Sequence, residues 1–294
     1  MTGGAARAGA VRRSCPAGAA PDAVLAHCSL AHAGAWEPVA ARLIEKAADG
    51  PCLVAPDLPG HGARPVPAVV GDIQEDAVEI LAEAAGKGPV DLIGHSFGAT
   101  ACLRLALERP ELVRSLVLIE PVQFSLLREA EPALWQRHLA DAMALRRRLE
   151  AGDREGATRA FYEKWGGGAP WSQLPAAQRR YMVDRVHLVA AAEPALMEDV
   201  GGIGAPGRLE GLRLPVLVLS GAESRAEIAG IASVLCRRLP ESRASVIAGA
   251  GHMAPITHPD AVAAAIAEFR EEVLRRRPQS RGSDRSPHPA STSR

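Results

Sequence analysis

The 294-residue chain has no excess of charge: 34 Lys and Arg stand against 34 Asp and Glu. A balanced surface makes no long-range field to gather nucleic acid or an anionic membrane, so neither is expected as a partner. No apolar run approaches the ~18 residues of a membrane span, and the first 21 residues carry arginines without the apolar segment of a secretory signal. A cytoplasmic location is the expectation. The five cysteines, Cys15, Cys28, Cys52, Cys102 and Cys236, are odd in number and scattered. They read as free thiols in a reducing compartment, not as a disulfide framework. No His, Asp or Cys cluster has metal-ligand spacing, and no G-x-x-x-x-G-K loop offers a phosphate cradle. Gly202-Ile203-Gly204-Ala205-Pro206-Gly207 satisfies G-x-G-x-x-G literally, yet no strand precedes it and Pro206 does not open a βαβ unit, so it reads as a flexible connection. Aromatics are scarce at 3%, and most of them crowd into one stretch: Phe124, Trp135, Phe161, Tyr162, Trp165, Trp171 and Tyr181.

What is present is a core. Hydrophobic residues make up 47% of the chain, enough to bury a sizeable interior. Short apolar runs at Val24–Cys28, Cys52–Ala55, Val90–Ile93, Leu116–Ile119, Val216–Leu219 and Ala244–Ala248 read as strands. Between them apolar residues recur at helical spacing, as in Trp36, Val39 and Leu43, or in Ile73, Ala77, Ile80 and Leu81 behind the N-cap candidate Asp72. Strands that are apolar throughout and alternate with helices predict an α/β class with a mostly parallel sheet covered on both faces. The alternation breaks over 124–206, which holds no convincing strand but has helical stretches at 134–149 and 176–188. That aromatic-rich insertion is a candidate lid over an apolar pocket. The organisation expected is a low-complexity segment at 1–21 with at most one weak strand or hairpin, a core at 22–123 and 207–274, the helical insertion at 124–206, and a disordered basic tail at 275–294.

The stretch Gly94-His95-Ser96-Phe97-Gly98 carries the chemistry. It follows an apolar strand and precedes the helix-compatible run Ala99–Leu107, so G-x-S-x-G lies on a strand-to-helix turn, with glycines permitting the sharp bend that holds Ser96 exposed. Ser96 is the candidate nucleophile. Among nine histidines, His252 is the candidate base, because the glycine-rich Ala248-Gly249-Ala250-Gly251 loop leaving the last strand can curl an imidazole back over the sheet. His95, adjacent to Ser96, reads as a supporting side chain beneath the turn and a pocket neighbour. His138 and His187 sit inside helices of the insertion, where packing is the expected role.

Taken together, G-H-S-F-G after the third strand, Asp57-Leu58-Pro59-Gly60-His61-Gly62 after the second, an insertion after Glu120, and Gly249-Ala250-Gly251-His252-Met253-Ala254-Pro255 near the end resemble the α/β-hydrolase superfamily over residues 24–274. The resemblance implies a Ser-His-acid triad, a backbone oxyanion hole, no cofactor and no metal, with the site at the carboxyl ends of the strands. It places the oxyanion donors at Phe97 and at Ser29 or Cys28. In many members the acid is an Asp in a G-x-x-D turn, but here Ser224 stands at that place in Gly221-Ala222-Glu223-Ser224. Glu120, closing the strand Leu116–Ile119, is the preferred acid and Glu223 the alternative. Leu30, His95, Phe124, Trp165 and Met253 are the expected pocket residues. The activity implied is a serine hydrolase acting on a small apolar ester, lactone or related acyl compound. Carbon-carbon bond hydrolysis, acyl transfer and non-catalytic ligand binding are the alternatives.

Overall fold

The computed structural model describes residues 11–276 apart from 17, 47–49 and 67–70. Among these residues seven strands form one sheet: β1 (Val11–Arg13), β2 (Ala23–Ala26), β3 (Leu53–Pro56), β4 (Val90–His95), β5 (Val113–Ile119), β6 (Val216–Gly221) and β7 (Ser242–Ile247). Their spatial order is β1-β3-β2-β4-β5-β6-β7. Only β1 runs antiparallel, pairing with β3, and the remaining neighbours are parallel. The α/β class and the mostly parallel sheet follow the sequence reading, and the weak N-terminal strand is β1. Most of the basic tail lies outside the described residues, although Arg275 and Arg276 belong to the last helix, Pro259–Arg276.

Alternation along each central strand explains why the runs are apolar throughout. Leu92, Leu116, Leu118, Val216 and Val218 face one core with the helices Ile73–Ala85, Phe97–Glu108 and Ala226–Arg238. Ile93, Val117, Ile119, Leu217 and Leu219 face the other with Glu37–Lys46 and Pro259–Arg276. A period of two thus sends successive residues into opposite layers, and neither layer is water. Asp72 caps its helix as expected, accepting from the Gln74 and Glu75 N–H groups.

Asp91 is the exception within a buried strand. Its carboxylate accepts from Arg114, Ser115 and Arg270. Burial alone would raise its pKa, but these partners, Arg114 foremost, bring it below the ordinary aspartate value. The network ties the beginning of β4 to β5 and the last helix, away from the serine at the other end of the strand.

One reading is corrected. Cys15 and Cys52 are joined as a disulfide across the β1–β3 edge, whereas Cys28, Cys102 and Cys236 are free. Cysteines 37 positions apart carry no local pairing signal; the antiparallel return of β1 along β3 brings them together. The inference of a reducing compartment loses the support of these two thiols.

Between β5 and β6 the described residues contain no strand. Helices Leu127–Ala130, Pro132–Glu150, Arg154–Trp165, Ala176–Val183, His187–Ala191 and Glu193–Met197 fill the interval. The helix at 132–150 has no buried residue, the helix at 154–165 buries Ala157, Thr158 and Trp165, and Phe124, Leu127, Trp165, Leu188 and Met197 join the sheet-side core.

Candidate active site

Ser96 stands at the carboxyl end of β4 with φ 55 and ψ −119, a left-handed conformation that costs a non-glycine residue of order 1–3 kcal/mol and clusters at functional sites. The glycines on either side serve a purpose other than the one expected of them, since neither has positive φ. A Cβ on Gly94 would lie 2.5 Å from the Ala99 Cα, and one on Gly98 would lie 2.4 Å from the Ala26 carbonyl oxygen. They let the helix Phe97–Glu108 and β2 close on the turn, and the turn itself is strained at the serine.

His252 lies on the loop after β7. Its Nε2 is 3.0 Å from Ser96 Oγ and its Nδ1 is 3.0 Å from Glu120 Oε2. Glu120, fully buried at the end of β5, also has positive φ, 53°. Its second oxygen accepts from the Gly221 N–H at 2.6 Å and the Ser224 hydroxyl at 2.7 Å. Burial by itself would raise the Glu120 pKa, but hydrogen bonds from His252, Gly221 and Ser224 overcome it and hold the carboxyl below the ordinary glutamate value.

Glu223 is not beside His252. Its backbone N–H reaches the Ala250 carbonyl and its side chain is exposed. The alternative acid is therefore corrected: a residue in the turn after β6 does meet the relay, but it is Ser224, which donates to the Glu120 carboxylate. The turn can approach so closely because Gly221 has no Cβ, which would sit 2.1 Å from the Ala250 oxygen.

Opposite Ser96, the loop after β2 brings Ser29 to the site. Among the described residues neither the Ser29 nor the Phe97 backbone N–H has a hydrogen-bond acceptor within the protein. Cys28 lies beside them, buried, with its thiol pushed up to about 12 by desolvation. A neutral thiol of that kind is a poor nucleophile.

Two chambers meet at Ser96 and His252. A narrow one of about 130 Å³ is lined by Val122, Phe124, Leu145, Trp165 and Leu196. A wider one of about 660 Å³ is lined by Leu30, Tyr162, Tyr181, Met182 and Met253. Four of the five expected pocket residues thus line a chamber. His95 does not: it is buried beneath the turn, and its Nε2–H donates to the His252 carbonyl at 2.7 Å. Burial, with His252 nearby, lowers its pKa to about 3.

Three residues that sequence reading gave no part in the site contribute to it. His138 stacks on Phe124 with ring centroids 3.3 Å apart, lines the narrow chamber and is lowered to about 4 by burial. The Tyr181 hydroxyl donates to the Ala31 carbonyl and accepts from the Gly62 N–H, fastening the insertion to the loops after β2 and β3. Ser224 had a signal, its place in the G-x-x-D turn; His138 and Tyr181 had none, because only the path of the insertion brings them here. Among the described residues no group of three or more His, Cys, Asp or Glu could hold a metal ion, and no helix is long and apolar enough to cross a membrane.

A mostly parallel sheet with a strained serine, buried at 7% exposure beside two chambers on a tight strand-to-helix bend, with helices on both faces and a helical insertion before β6, is the α/β-hydrolase fold. The sequence model of the alpha/beta hydrolase family matches residues 23–265, and the chain belongs to that family. It is 25% identical over 243 residues to a pimeloyl-[acyl-carrier protein] methyl ester esterase of Nitrosomonas europaea, a match covering 83% of this chain and 93% of that one. It is 42% identical over 71 residues to lipase LipV of Mycobacterium tuberculosis, 24% of this chain and 27% of the lipase. A match to the polyketide synthase ThaQ of Burkholderia thailandensis, 29% over 230 residues, covers 74% of this chain but 10% of the synthase. The matched regions are thus small parts of the last two proteins. Among solved structures, MenH from S. aureus superimposes with a TM-score of 0.63 at 20% identity over 90% of this chain and 98% of that chain. The 2-hydroxy-6-oxo-6-phenylhexa-2,4-dienoate hydrolase of Rhodococcus sp. strain RHA1 gives 0.62 at 22% identity over 86% and 91%. At such identities the likeness is one of fold.

Proposed function

We propose that the protein is a serine hydrolase acting on an ester or related acyl compound, with Ser96 as nucleophile, His252 as general base and Glu120 as the orienting acid. The single observation that carries this reading is the continuous relay Ser96 Oγ, His252 Nε2 and Nδ1, Glu120 Oε2, with 3.0 Å at each step. The named activity of the Nitrosomonas esterase supports the same reaction class.

In this reading Ser96 Oγ bonds to the substrate carbonyl carbon while its proton passes to His252 Nε2. The carbonyl oxygen, now negative, is received by the Phe97 and Ser29 N–H groups. Collapse of the tetrahedral adduct breaks the bond to the leaving oxygen, which takes the proton from His252. Water then gives its proton to His252 and attacks the acyl-enzyme, and Ser96 leaves with that proton. Glu120 keeps the proton of neutral His252 on Nδ1, leaving Nε2 free to accept, and stabilises the imidazolium as it forms. The apolar walls of the narrow chamber suit a small hydrocarbon moiety on one side of the scissile bond. The insertion acts as its cover.

A fluorophosphonate probe is expected to label the folded protein and not Ser96→Ala. Equal labelling of both, or full ester hydrolysis by Ser96→Ala, would defeat the proposal.

A further inference from the structure

We propose that His27 and His61 are positioning residues that together set the direction of the Ser29 N–H, and through it the oxyanion site; the inference rests on the serine-hydrolase reading above.

The two rings are buried at 1% and 2% exposure and meet edge to face with centroids 5.2 Å apart. His27, just beyond β2, has Nε2 at 2.9 Å from the Leu58 backbone nitrogen and Nδ1 at 2.8 Å from the Cys28 carbonyl oxygen. A backbone N–H can only donate, so Nε2 carries no proton, and the proton of the neutral ring must sit on Nδ1 and point at the Cys28 oxygen. His61, on the loop after β3, repeats the logic. Its Nε2 accepts from the Leu30 N–H at 3.0 Å, which puts its proton on Nδ1, donating to the Pro59 oxygen at 2.8 Å.

The Cys28 carbonyl and the Ser29 N–H belong to one planar trans peptide and point in opposite directions. Holding the oxygen therefore aims the N–H. His61 holds the next peptide, so each of the two peptide units flanking Ser29 is gripped by one imidazole. The grip is needed because Leu30 has φ 60, a conformation the chain would leave if released.

Burial keeps both rings neutral. His27 is pushed well below the ordinary value, with His61, His32 and His95 adding to the effect. His61 is lowered to about 4, where Arg185 and His187 also oppose protonation and Asp57 favours it. A proton on either Nε2 would face a backbone N–H, donor against donor.

The test is a crossed pair of substitutions, read as kcat and KM for a p-nitrophenyl ester. Asn places an amide near the Nδ1 position and Gln near Nε2. His27→Asn can still donate to the Cys28 oxygen, while His27→Gln can reach only toward Leu58. His61→Gln can still accept from Leu30, and His61→Asn cannot. The expected result is a kcat loss of roughly tenfold or more for His27→Gln and His61→Asn beyond that of their counterparts, with KM little changed. Losses that follow melting temperature instead of this crossed order would overturn the proposal and make both histidines merely structural. In the wild-type protein, nitrogen-15 spectra of the histidines should show both rings neutral at pH 5.5 with the proton on Nδ1; an Nε2–H tautomer at either would overturn it without any variant. If Ser96→Ala is inactive while all four histidine variants keep wild-type kcat, this inference fails and the serine reading stands. If Ser96→Ala remains active, the serine reading fails first.

Discussion

Glu120→Gln isolates the contribution of one negative charge while keeping nearly every atom in place. The carboxylate has two differentiated oxygens: Oε1 receives the Gly221 N–H and the Ser224 hydroxyl, and Oε2 faces His252 Nδ1. A glutamine satisfies the first pair only by keeping its carbonyl on that side, which turns its NH₂ toward His252. The imidazole must then accept at Nδ1 and carry its proton on Nε2, so it can no longer take the proton of Ser96. The flipped amide would restore the tautomer but set NH₂ against the Gly221 N–H, at a position where the side chain is fully buried. Either way the imidazolium formed during acyl transfer loses its counter-charge. The wrong tautomer in a triad of this kind lowers kcat by roughly 10³–10⁴-fold, or about 4–5.5 kcal/mol of transition-state stabilisation. The assay is steady-state hydrolysis of a p-nitrophenyl ester, with circular dichroism and melting to verify folding. Glu223→Gln, a change on an exposed side chain, serves as the control and is expected to stay within about twofold of wild type. A folded Glu120→Gln that loses less than about tenfold, or a Glu223→Gln that loses as much, would refute the assignment.

Stability should fall on mild acidification. His27, His61 and His95 are neutral in the fold with pKa values below the ordinary 6.5, at about 4 for His61 and about 3 for His95. Below 6.5 the unfolded chain therefore binds more protons than the folded one. Each histidine removes roughly 1.4 kcal/mol per pH unit as pH drops from 6.5 toward its folded value. The lowered Glu120 pKa adds a further loss below the usual carboxylate range. Urea midpoints that are flat from pH 6.5 to pH 4.5 would contradict this. The Cys15–Cys52 bridge closes a 37-residue separation, and its loss is expected to cost roughly 3–4 kcal/mol by loop entropy. Reductant should lower the urea midpoint of the wild type and leave Cys15→Ser unmoved; no shift in the wild type would dispose of the bridge as a stabilising element.

The sequence by itself determined the sheet and the strand-to-helix turn that carries Ser96, the proposed nucleophile. Apolar runs such as Leu116–Ile119 can only be buried on both faces, and a serine between Gly94 and Gly98 at a strand-to-helix junction has few other uses. His252 was legible for a similar reason, a glycine-rich loop leaving the last strand. The proposed acid was half legible: Glu120, closing an apolar strand where a carboxylate requires partners, was already preferred to Glu223, yet its contact with His252 Nδ1 spans 132 residues and exists only in the folded chain. His95 was expected to support the turn, but tertiary structure alone gave it the His252 carbonyl as its partner and kept it out of both chambers. It also decided that Cys15 meets Cys52, and that His27 and His61 grip the peptides beside Ser29. In each case the deciding quantity is the direction of a hydrogen bond or the approach of two distant loops. Hydrophobic patterning encodes which face of an element is buried, but it does not encode which loop of another strand lies opposite.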